Sequence, residues 1–447
     1  MRIAVVGAGY VGLVSGACLA DFGHNVHCVD VSEQKIAALQ DGQIPIFEPG
    51  LEAMVKSGIA NGRLEFSGDV AAAVRDADLV FIAVGTPSRR GDGHADLSFV
   101  YAAAQTIAES MTGFTVVVTK STVPVGTGDE VDRIIRSSRP DADFAVASNP
   151  EFLREGAAID DFRHPDRIVI GTEDERAKAV LAEVYRPLFL NHSPLLFVSR
   201  RTAELIKYAS NGFLAMKLTF INEMADLCDA LGANVQDVAR GVGLDDRIGA
   251  KFLDAGPGYG GSCLPKDTLA LVKTARDHHS PLKLVETTIA LNDSRKQLMA
   301  DKVIAACGGS VAGKTIAVLG LTFKPNTDDM RDAPSLDIIK SLQKAGARIR
   351  AFDPEGMNAA ARVLDGVTFG IDAYDVATSA HALVIVTEWN AFRSLDFGRL
   401  ATVMADHVLI DLRNIYTPRD VEAQGFRYSS IGRPAGSSPG YLAKAAE

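Results

Sequence analysis

The stretch "RIAVVGAGYVGLVSGACLADFG", residues 2–23, decides the fold class at the start of the chain. An apolar run typical of a strand leads into Gly7, Gly9 and Gly12, which have the G-x-G-x-x-G spacing before a segment of helical character. The first glycine permits a tight turn, the second lets a pyrophosphate approach the backbone, and the third lets helix and strand pack closely. The stretch therefore predicts a Rossmann unit whose helix N-terminus faces phosphate groups.

A carboxylate completes this fingerprint. Asp30 ends the next strand-like run, "NVHCVD", where it can accept hydrogen bonds from ribose hydroxyls. Because the same carboxylate repels a 2′-phosphate, the predicted cofactor is NAD rather than NADP. Nearby Lys35 either closes over the adenosine or is a solvated helix lysine. A Rossmann unit that has lost its function is the alternative to NAD binding.

The rest of the chain continues the alternation of strands and helices. Strand-like runs alternate with helical segments as far as Ser148, which is typical of a doubly wound parallel sheet. Residues 202–232 predict one long helix, whose broad apolar surface indicates burial between domains or subunits. From Thr315 the order strand, glycine turn, helix, strand and acidic end recurs, with Asp353 in the place of Asp30. The predicted fold class is α/β, with two Rossmann-like doubly wound parallel-sheet domains joined by a long central helix and a helical middle domain.

A chain of 447 residues exceeds the usual size of a single core, so we expect several domains. The predicted bounds are 1–199 for an NAD-binding Rossmann domain, 200–300 for a central helical domain and 312–433 for a C-terminal Rossmann-like domain. Residues 434–447 lack periodicity and are expected to form a flexible tail.

Composition excludes several classes of function. The net charge is -10 and no basic run offsets it, which argues against a nucleic-acid partner. No apolar run has the length of a membrane helix, and the N-terminus enters a strand without a secretory signal, so we expect a cytoplasmic protein. The five cysteines have no spacing typical of a zinc site or a disulfide framework, and no metal is predicted.

One thiol differs from the others in its surroundings. Cys263 lies in "GPGYGGSCLPKD", residues 256–267, after several glycines and before Lys266. Glycines allow a ligand to approach closely, and a neighbouring ammonium favours the nucleophilic thiolate. The alternative is a loop thiol without a role. The other cysteines lie in apolar or helical segments, where a thiol is usually a small buried hydrophobe: Cys18, Cys28, Cys228 and Cys307.

Polar residues on the long helix and at strand ends form a second group of candidates. Lys207 and Asn211 are four residues apart, so they share a helix face and can form an oxyanion site; the alternative is a lysine paired with Glu204. The carboxyl ends of parallel strands line the ligand crevice of an open α/β sheet. Four residues at such ends can serve as site residues or, equally, as turn and cap residues: Thr86, Thr122, Glu151 and Glu155.

The ordered series of motifs resembles the UDP-glucose 6-dehydrogenase family, within the nucleotide-sugar dehydrogenases. The series is "VVGAGYVGL", "VGTP", "KSTVPVGT", "NPEFLREG", "ELIKYASN", "GPGYGGSCLPKD" and "GLTFKPNTDDMRDAPS", and it extends to about Arg433. The resemblance implies that NAD oxidises UDP-glucose to UDP-glucuronate in two steps, with Cys263 holding the sugar first as a thiohemiacetal and then as a thioester. It also implies that the C-terminal domain binds the UDP-sugar.

The resemblance assigns roles to individual residues. Lys207 and Asn211 would stabilise oxyanions, Asp267 and Thr122 would organise water and protons, and Glu151 would be the base for thioester hydrolysis. The implied cofactor contacts are Gly7, Gly9, Tyr10, Val11, Gly12, Asp30, Lys35, Thr86, Thr122, Glu155, Lys266 and Arg331. The implied substrate contacts are Glu151, Phe152, Leu153, Arg154, Glu155, Lys207, Asn211, Arg247, Phe252, Leu253, Asp254, Ala255, Gly256, Gly260, Lys324 and Arg413.

The resemblance also implies a homodimer, because Arg247 is similar to an arginine that reaches the UDP of a neighbouring subunit. Two alternatives remain at this point. The first is the same chemistry on GDP-mannose or a UDP-N-acetyl-hexosamine, and the second is an NAD-binding redox sensor in which Cys263 is a regulatory thiol.

Overall fold

The computed structural model describes residues 1–87, 95–190 and 193–433, so the predicted tail at 434–447 lies outside the described residues. The chain divides into two compact units. Of the described residues, those within 1–210 and 269–281 form the first unit, and those within 211–268 and 282–433 form the second.

The first unit is built on one sheet with the strand order β3-β2-β1-β4-β5-β6-β7-β8. Its strands are β1 Arg2–Val6, β2 Asn25–Val29, β3 Leu64–Ser67, β4 Leu79–Ile82, β5 Thr115–Thr119, β6 Phe144–Ser148, β7 Ile168–Gly171 and β8 Leu195–Val198. The paired strands are parallel except for β6 and β7. β4, β5 and β6 are buried along their whole length, which explains their nearly continuous apolar sequences.

Helices cover this sheet. They are α1 Tyr10–Asp21, α2 Glu33–Gln40, α3 Leu51–Ala60, α4 Val70–Arg75, α5 Ser98–Ser110, α6 Thr127–Ser138, α7 Ala158–Arg163, α8 Glu175–Val184 and α9 Arg186–Leu190. In the core Val5 lies between Cys28 and Phe81 on the neighbouring strands, and all three side chains are fully buried.

Further helices follow along the chain, most of them longer than those of the first sheet. They are α10 Arg200–Leu231, α11 Val235–Gly243, α12 Leu264–Asp277 and α13 Lys283–Ala306. The predicted long helix at 202–232 is thus α10, which contributes residues to both units. Within the described residues, no helix is long and apolar enough to span a membrane.

The second sheet repeats the strand order of a Rossmann unit, β11-β10-β9-β12-β13-β14, with parallel pairing throughout. Its strands are β9 Thr315–Leu319, β10 Arg348–Phe352, β11 Val367–Phe369, β12 Ala382–Ile385, β13 Val408–Asp411 and β14 Arg427–Ser430. Its helices are α14 Pro334–Lys344, α15 Met357–Ala360, α16 Ala373–Ala377, α17 Phe397–Val403 and α18 Pro418–Glu422, with a short 3-10 helix at Asn390–Phe392. The predicted fold class is confirmed.

The acidic residue that ends the second strand has different surroundings in the two sheets. Asp353 follows β10 as Asp30 follows β2, but Asp353 is fully buried. Its carboxylate accepts hydrogen bonds from the backbone of Leu321 and Gly356 and from the indole of Trp389, among other donors. These internal bonds occupy the carboxylate, so the second Rossmann-like unit uses it to fix its own loops.

Candidate active site

The glycine turn of the first unit fits a dinucleotide. Gly7 has a φ of 104°, and a Cβ there would lie 2.6 Å from the carbonyl oxygen of Ala83. A Cβ on Gly12 would lie 1.8 Å from the carbonyl oxygen of Gly7, whereas a Cβ on Gly9 would meet no described atom within 4 Å. Gly7 and Gly12 are therefore required by the fold, and Gly9 borders open space.

The helix that follows this turn begins at Tyr10, and its N-cap Gly9 makes no side-chain capping bond in the described part of the chain. The first N–H groups of a helix have no partner within the helix and carry a partial positive charge. The open space at Gly9 together with these N–H groups suits a pyrophosphate.

Asp30 and Lys35 form an ion pair beside the glycine turn. The Asp30 carboxylate accepts from Lys35 Nζ at 2.6 Å and from the backbone N–H groups of Ala8 and Ser32, each at 3.0 Å. Burial by itself would raise the pKa of Asp30, but the hydrogen bonds from Lys35 and the two N–H groups outweigh it and lower the pKa. Asp30 thus stays ionised and keeps the charge that favours ribose hydroxyls over a 2′-phosphate.

Sequence reasoning missed Glu48, which connects the glycine helix to a second loop. Its carboxylate accepts from the Tyr10 hydroxyl and from the N–H groups of Gly156, at 2.6 Å, and Ala158, at 2.8 Å. Burial and the Glu48 carboxylate raise the pKa of Tyr10. The contact fixes the loop that contains Glu155. No local pattern marks Glu48, because its backbone partners lie more than a hundred residues away along the chain.

A buried ion pair brings two predicted catalytic residues together. Lys207 Nζ donates to the carbonyl of Glu151 at 2.7 Å and lies 3.3 Å from Glu151 Oε1, and both side chains are about 95% buried. The other carboxylate oxygen, Glu151 Oε2, accepts from the N–H of Leu153 at 2.6 Å. Lys207 Nζ also lies over the ring of Phe152, 5.3 Å from its centroid.

Glu204, the alternative partner of Lys207, instead binds the backbone at the start of α6. Glu204 accepts from the N–H groups of Gly126 and Gly128, at 2.6 and 2.8 Å, and from the Ser148 hydroxyl at 2.9 Å. Burial raises the pKa of Glu204, against the effect of these hydrogen bonds. Glu204 therefore supplies the cap at the start of α6 that a side chain of Gly126 itself cannot supply.

Thr122 lies in the same part of the first unit. Its carbonyl accepts from the Thr86 hydroxyl at 2.9 Å, which joins the ends of two predicted site loops. A small recess is lined by Thr119, Ser121, Thr122, Val123, Ser148, Pro150, Glu204 and Lys207. The structure thus brings Thr122 and Lys207 to one recess.

A second lysine that sequence reasoning missed is buried close by. Lys120 Nζ lies 3.0 Å from Asn149 Oδ1 and 3.1 Å from the Tyr185 hydroxyl. The hydroxyl of Tyr185 also donates to Asn149 Oδ1, and the rings of Phe81, Phe162 and Tyr185 surround the ammonium at 5.6 to 5.8 Å. Burial lowers the pKa of Lys120 to about 8, although the charge of Glu151 opposes this change.

In the second unit, Cys263 is the one partly exposed cysteine among the described residues. Its Sγ lies 3.4 Å from the Ser262 hydroxyl, and its carbonyl accepts from the N–H of Asp267 at 2.9 Å. Cys263 thus directly precedes the first turn of α12, and a helix N-terminus stabilises a thiolate. Sequence reasoning named only Lys266 for this effect, although the following Leu-Pro pair is a helix-start pattern.

The remaining cysteines are buried, and burial raises the pKa of each thiol. The pKa rises to about 12 for Cys18 and Cys28, and it also rises for Cys228 and Cys307. They behave as the buried hydrophobes that their sequence surroundings indicate.

Asp267 is the acidic residue at the end of the segment 256–267 that contains Cys263, and it is 1% exposed. Its Oδ2 accepts from Asn211 Nδ2 at 2.6 Å, and its Oδ1 accepts from Lys266 Nζ at 2.7 Å. Two predicted catalytic residues, Asn211 and Asp267, are therefore in direct contact, and the ammonium of Lys266 is paired with this carboxylate.

The glycines before Cys263 pack against the protein itself. A Cβ on Gly260 would lie 2.3 Å from the carbonyl oxygen of Asp332, and one on Gly261 would lie 2.6 Å from the ring of Phe323. The N–H of Gly261 also donates to the carbonyl of Arg331 at 2.8 Å. The sequence prediction that these glycines leave room for a ligand thus needs a correction at these two positions, where the close approach is between two loops of the chain.

Several predicted binding residues are engaged with protein groups. The side chains of Leu253 and Ala255 are buried in the core of the second unit, so these two residues can offer a ligand only their backbone. Asp254 is exposed, and Phe252 has a left-handed φ of 65°. The predicted binding cations of these segments have protein partners: Arg154 with Asp161 at 2.6 Å, Arg247 with Asp245 at 2.6 Å, Arg331 with Asp329 at 2.7 Å, Arg413 with Glu388 at 2.8 Å and with the carbonyls of Val386 and Phe323, and Lys324 with the Phe323 ring.

Three family models match consecutive segments of the chain. They are the NAD binding domain, the central domain and the UDP binding domain of the UDP-glucose/GDP-mannose dehydrogenase family, and they match residues 1–189, 201–294 and 317–418. The first match confirms the prediction of NAD as the cofactor.

Individual relatives extend over nearly the whole chain. A UDP-glucose 6-dehydrogenase of Rhizobium meliloti (strain 1021) is 67% identical over 97% of this chain and 100% of the relative. The UDP-glucose 6-dehydrogenase TuaD of Bacillus subtilis (strain 168) is 46% identical over 97% of this chain and 94% of the relative. The solved structure of a UDP-glucose dehydrogenase from Pyrobaculum islandicum has a TM-score of 0.89 and 38% identity, and the match covers 97% of this chain and 98% of that chain.

Proposed function

Because the chain belongs to the UDP-glucose/GDP-mannose dehydrogenase family, we propose that it oxidises UDP-glucose to UDP-glucuronate with NAD. The observation that carries the proposal is the 67% identity, over nearly the full length of both chains, with a UDP-glucose 6-dehydrogenase. The partly exposed thiol of Cys263 at a helix N-terminus supports it, because such a thiol is suited to covalent chemistry.

When bound, NAD supplies the hydride acceptor for each of the two oxidations. In the proposal the backbone at Gly9, Tyr10 and Val11 binds its pyrophosphate, and Asp30 binds the ribose. Lys35 keeps Asp30 ionised through their ion pair. Further proposed contacts to the cofactor come from Thr86, Thr122, Glu155, Lys266 and Arg331.

Cys263 carries the covalent part of the proposed mechanism. Its thiolate adds to the carbonyl carbon of the aldehyde from the first oxidation, and the oxygen takes up a proton to give a thiohemiacetal. Loss of a hydride and of the hydroxyl proton leaves a thioester. Water then adds to the thioester carbon, the thiolate of Cys263 departs, and the carboxylate is released. The covalent bond keeps the aldehyde from escaping between the two oxidations.

Proton transfer and charge stabilisation are assigned to the buried polar residues. Lys207 is the proposed oxyanion stabiliser, and its ion pair with Glu151 holds both groups in defined positions. Glu151 is the proposed base for hydrolysis of the thioester. Asp267 and Asn211, which hydrogen-bond to each other, are proposed to orient water and the sugar oxygen.

We assign the UDP-sugar to the C-terminal domain, residues 312–433, and to the loop of residues 252–260. The other two proposed domains are residues 1–199, which would bind NAD, and residues 200–300, the central helical domain.

A row of apolar side chains lies exposed on α10. It consists of Phe213, Phe220 and Leu227, which recur every seven residues and are each about half exposed. An exposed apolar row of this kind is suited to packing against a second copy of the chain. This row supports the proposed homodimer, in which Arg247 reaches the neighbouring subunit's substrate.

The stoichiometry of NADH tests the proposal. The purified protein should form two NADH for each UDP-glucose consumed, as followed by absorbance with the sugar limiting. A yield of one NADH with free aldehyde in solution would refute the covalent mechanism. Parallel assays with GDP-mannose and UDP-N-acetyl sugars test the substrate, and a protein that binds NAD but forms no NADH with any of them would be the redox sensor instead.

A further inference from the structure

The loop before Cys263 has an unusual set of hydrogen-bond partners. Residues 256–260 form no helix or strand, yet Gly256 and Tyr259 are buried. Buried backbone N–H and C=O groups need partners. Here the partners are side chains of two long helices of the same unit, α10 and α13.

Both backbone groups of Gly256 are held by these helices. Its N–H donates to Asn222 Oδ1 at 2.8 Å, and its carbonyl accepts from Arg295 Nε at 2.6 Å. Arg295 is 4% exposed, and its Nη1 also donates to the Asp226 carboxylate at 2.9 and 3.0 Å and to the Asn222 carbonyl at 3.3 Å. A Cβ on Gly256 would lie 2.8 Å from Arg413 Nη1, so the loop is confined on a third side.

The next turn of the loop is held in the same manner. Asn292, 5% exposed, accepts from the N–H of Tyr259 at 2.8 Å and donates to its carbonyl at 3.1 Å. Asn292 and Arg295 are three residues apart on α13, so they project from one face of that helix. This face thus holds the loop at Gly256 and at Tyr259, which lie seven and four residues before Cys263.

We propose that Asn222, Asn292 and Arg295 are positioning residues that hold the backbone of residues 256–260 in the conformation that receives the nucleotide sugar. They act through the loop and not by contact with the reacting atoms. The inference rests on the proposed function, since that function places the sugar on this loop and the reacting carbon at Cys263.

The chain offers a matched control for the contacts between the two helices. Lys302 Nζ donates to Asp229 Oδ2 at 2.8 Å, which is a second ion pair between α13 and α10. Lys302 lies seven residues after Arg295, about two helical turns along α13. Its ion pair with Asp229 joins the helices without involving the loop.

Two variants remove the contacts to Gly256, and two serve as controls. Arg295→Met and Asn222→Leu each leave a buried backbone group without its partner, whereas Asn222→Asp keeps an acceptor for the N–H. We expect KM for UDP-glucose to rise about tenfold or more in the first two, with the Kd of NAD unchanged. In Asn222→Asp the rise in KM for UDP-glucose should be much smaller than in Asn222→Leu, and Lys302→Met should keep the KM of the unaltered protein.

A second measurement does not depend on turnover. Iodoacetamide should alkylate Cys263 selectively, because the other cysteines are buried. UDP-glucose should protect the unaltered protein and Lys302→Met from alkylation. Arg295→Met should need about tenfold more sugar for the same protection.

The proposal is wrong if folded Arg295→Met and Asn222→Leu keep the KM and the sugar protection of the unaltered protein, or if Lys302→Met loses them equally. If Arg295→Met does not fold, the comparison of Asn222→Leu with Asn222→Asp decides. Failure of the proposed function has a different result, since the unaltered protein would then form no NADH with UDP-glucose. If another sugar of the panel is oxidised, the same variants are compared with that sugar. If none is oxidised, the rate of Cys263 alkylation is compared between Arg295→Met and Lys302→Met, and equal rates would refute the proposal.

Discussion

Replacement of Lys120 by methionine should remove a large pH dependence of stability. The ammonium is buried beside Asn149 and Tyr185 and is surrounded by aromatic rings. Burial lowers its pKa from 10.5 to about 8, the charge of Glu151 opposes this, and that of Lys207 adds to it. The Lys120→Met substitution keeps much of the side-chain length and removes the charge.

The sign and size of the effect follow from proton binding. Between about pH 8 and 10.5 the folded state binds fewer protons at Lys120 than the unfolded state, so the free energy of unfolding rises with pH in this window. Below about pH 8 both states are protonated and the folded state bears the whole cost of the buried charge. The contribution of Lys120 should increase by about 2 to 3 kcal/mol between about pH 7 and about pH 10.

Chemical denaturation followed by circular dichroism at several pH values measures this effect. The difference in the free energy of unfolding, unaltered protein minus Lys120→Met, should rise by about 2 to 3 kcal/mol over that range. Lys56→Met is the matched control, because Lys56 lies in the same unit with its side chain 56% exposed, and its replacement should produce no such slope.

A flat difference between the unaltered protein and Lys120→Met would refute the reasoning, since it would mean that Lys120 has a similar pKa in both states. A difference that falls with pH would show that the folded state binds the proton more tightly than the unfolded state. Either result would mean that the hydrogen bonds from Lys120 to Asn149 and Tyr185 are strong enough to offset the effect of burial on the pKa of Lys120.

Further substitutions test the cofactor turn, the thiol and the subunit contact. Gly9→Ala should leave the melting temperature unchanged and raise the Kd of NAD about tenfold, since its Cβ would enter open space, whereas Gly12→Ala should lower stability by about 3 kcal/mol because its Cβ would overlap a carbonyl oxygen. An unchanged melting temperature in Gly12→Ala would contradict the assigned packing role. Cys263→Ser should abolish turnover and keep the Kd of NAD, as titration and steady-state assays would measure, and retained turnover would disprove the nucleophile. Phe220→Glu should shift the protein to a monomer in analytical ultracentrifugation, whereas Phe99→Glu, at a similarly exposed phenylalanine of α5, should not; a Phe220→Glu dimer would place the interface elsewhere.

The glycine turn and the acidic residue predicted to bind the cofactor could be found from sequence, because they lie close together along the chain. Gly7, Gly9, Gly12 and Asp30 lie within one βαβ unit, and the backbone geometry that they require is set by close neighbours in sequence. Even here, sequence left open whether Lys35 closes over the adenosine or is a solvated helix lysine, because both are compatible with the first turn of α2. The ion pair of Lys35 with Asp30 is visible only in the structure.

The Lys207 contact illustrates what sequence could not decide. The spacing of Glu204 and Lys207 on a helix allows them to pair, but α6 and the loop after β6 approach the helix from distant parts of the chain. Glu204 caps α6, and Lys207 pairs with Glu151. Which of two nearby acceptors a lysine uses depends on the burial and competing donors of each, and these exist only after folding.

The sequence by itself determined the α/β class and the two Rossmann-like sheets, and it singled out Cys263 as the candidate nucleophile, because strand alternation, glycine spacing and the residues around Cys263 are local properties. Only the tertiary structure decided how the cysteine loop is held. Asn222, Asn292 and Arg295 belong to helices far from the loop in sequence, and their side chains bind its backbone, which leaves no pattern in the loop's own residues. Buried backbone groups must find partners wherever the fold provides them, and that choice is made by packing rather than by sequence spacing.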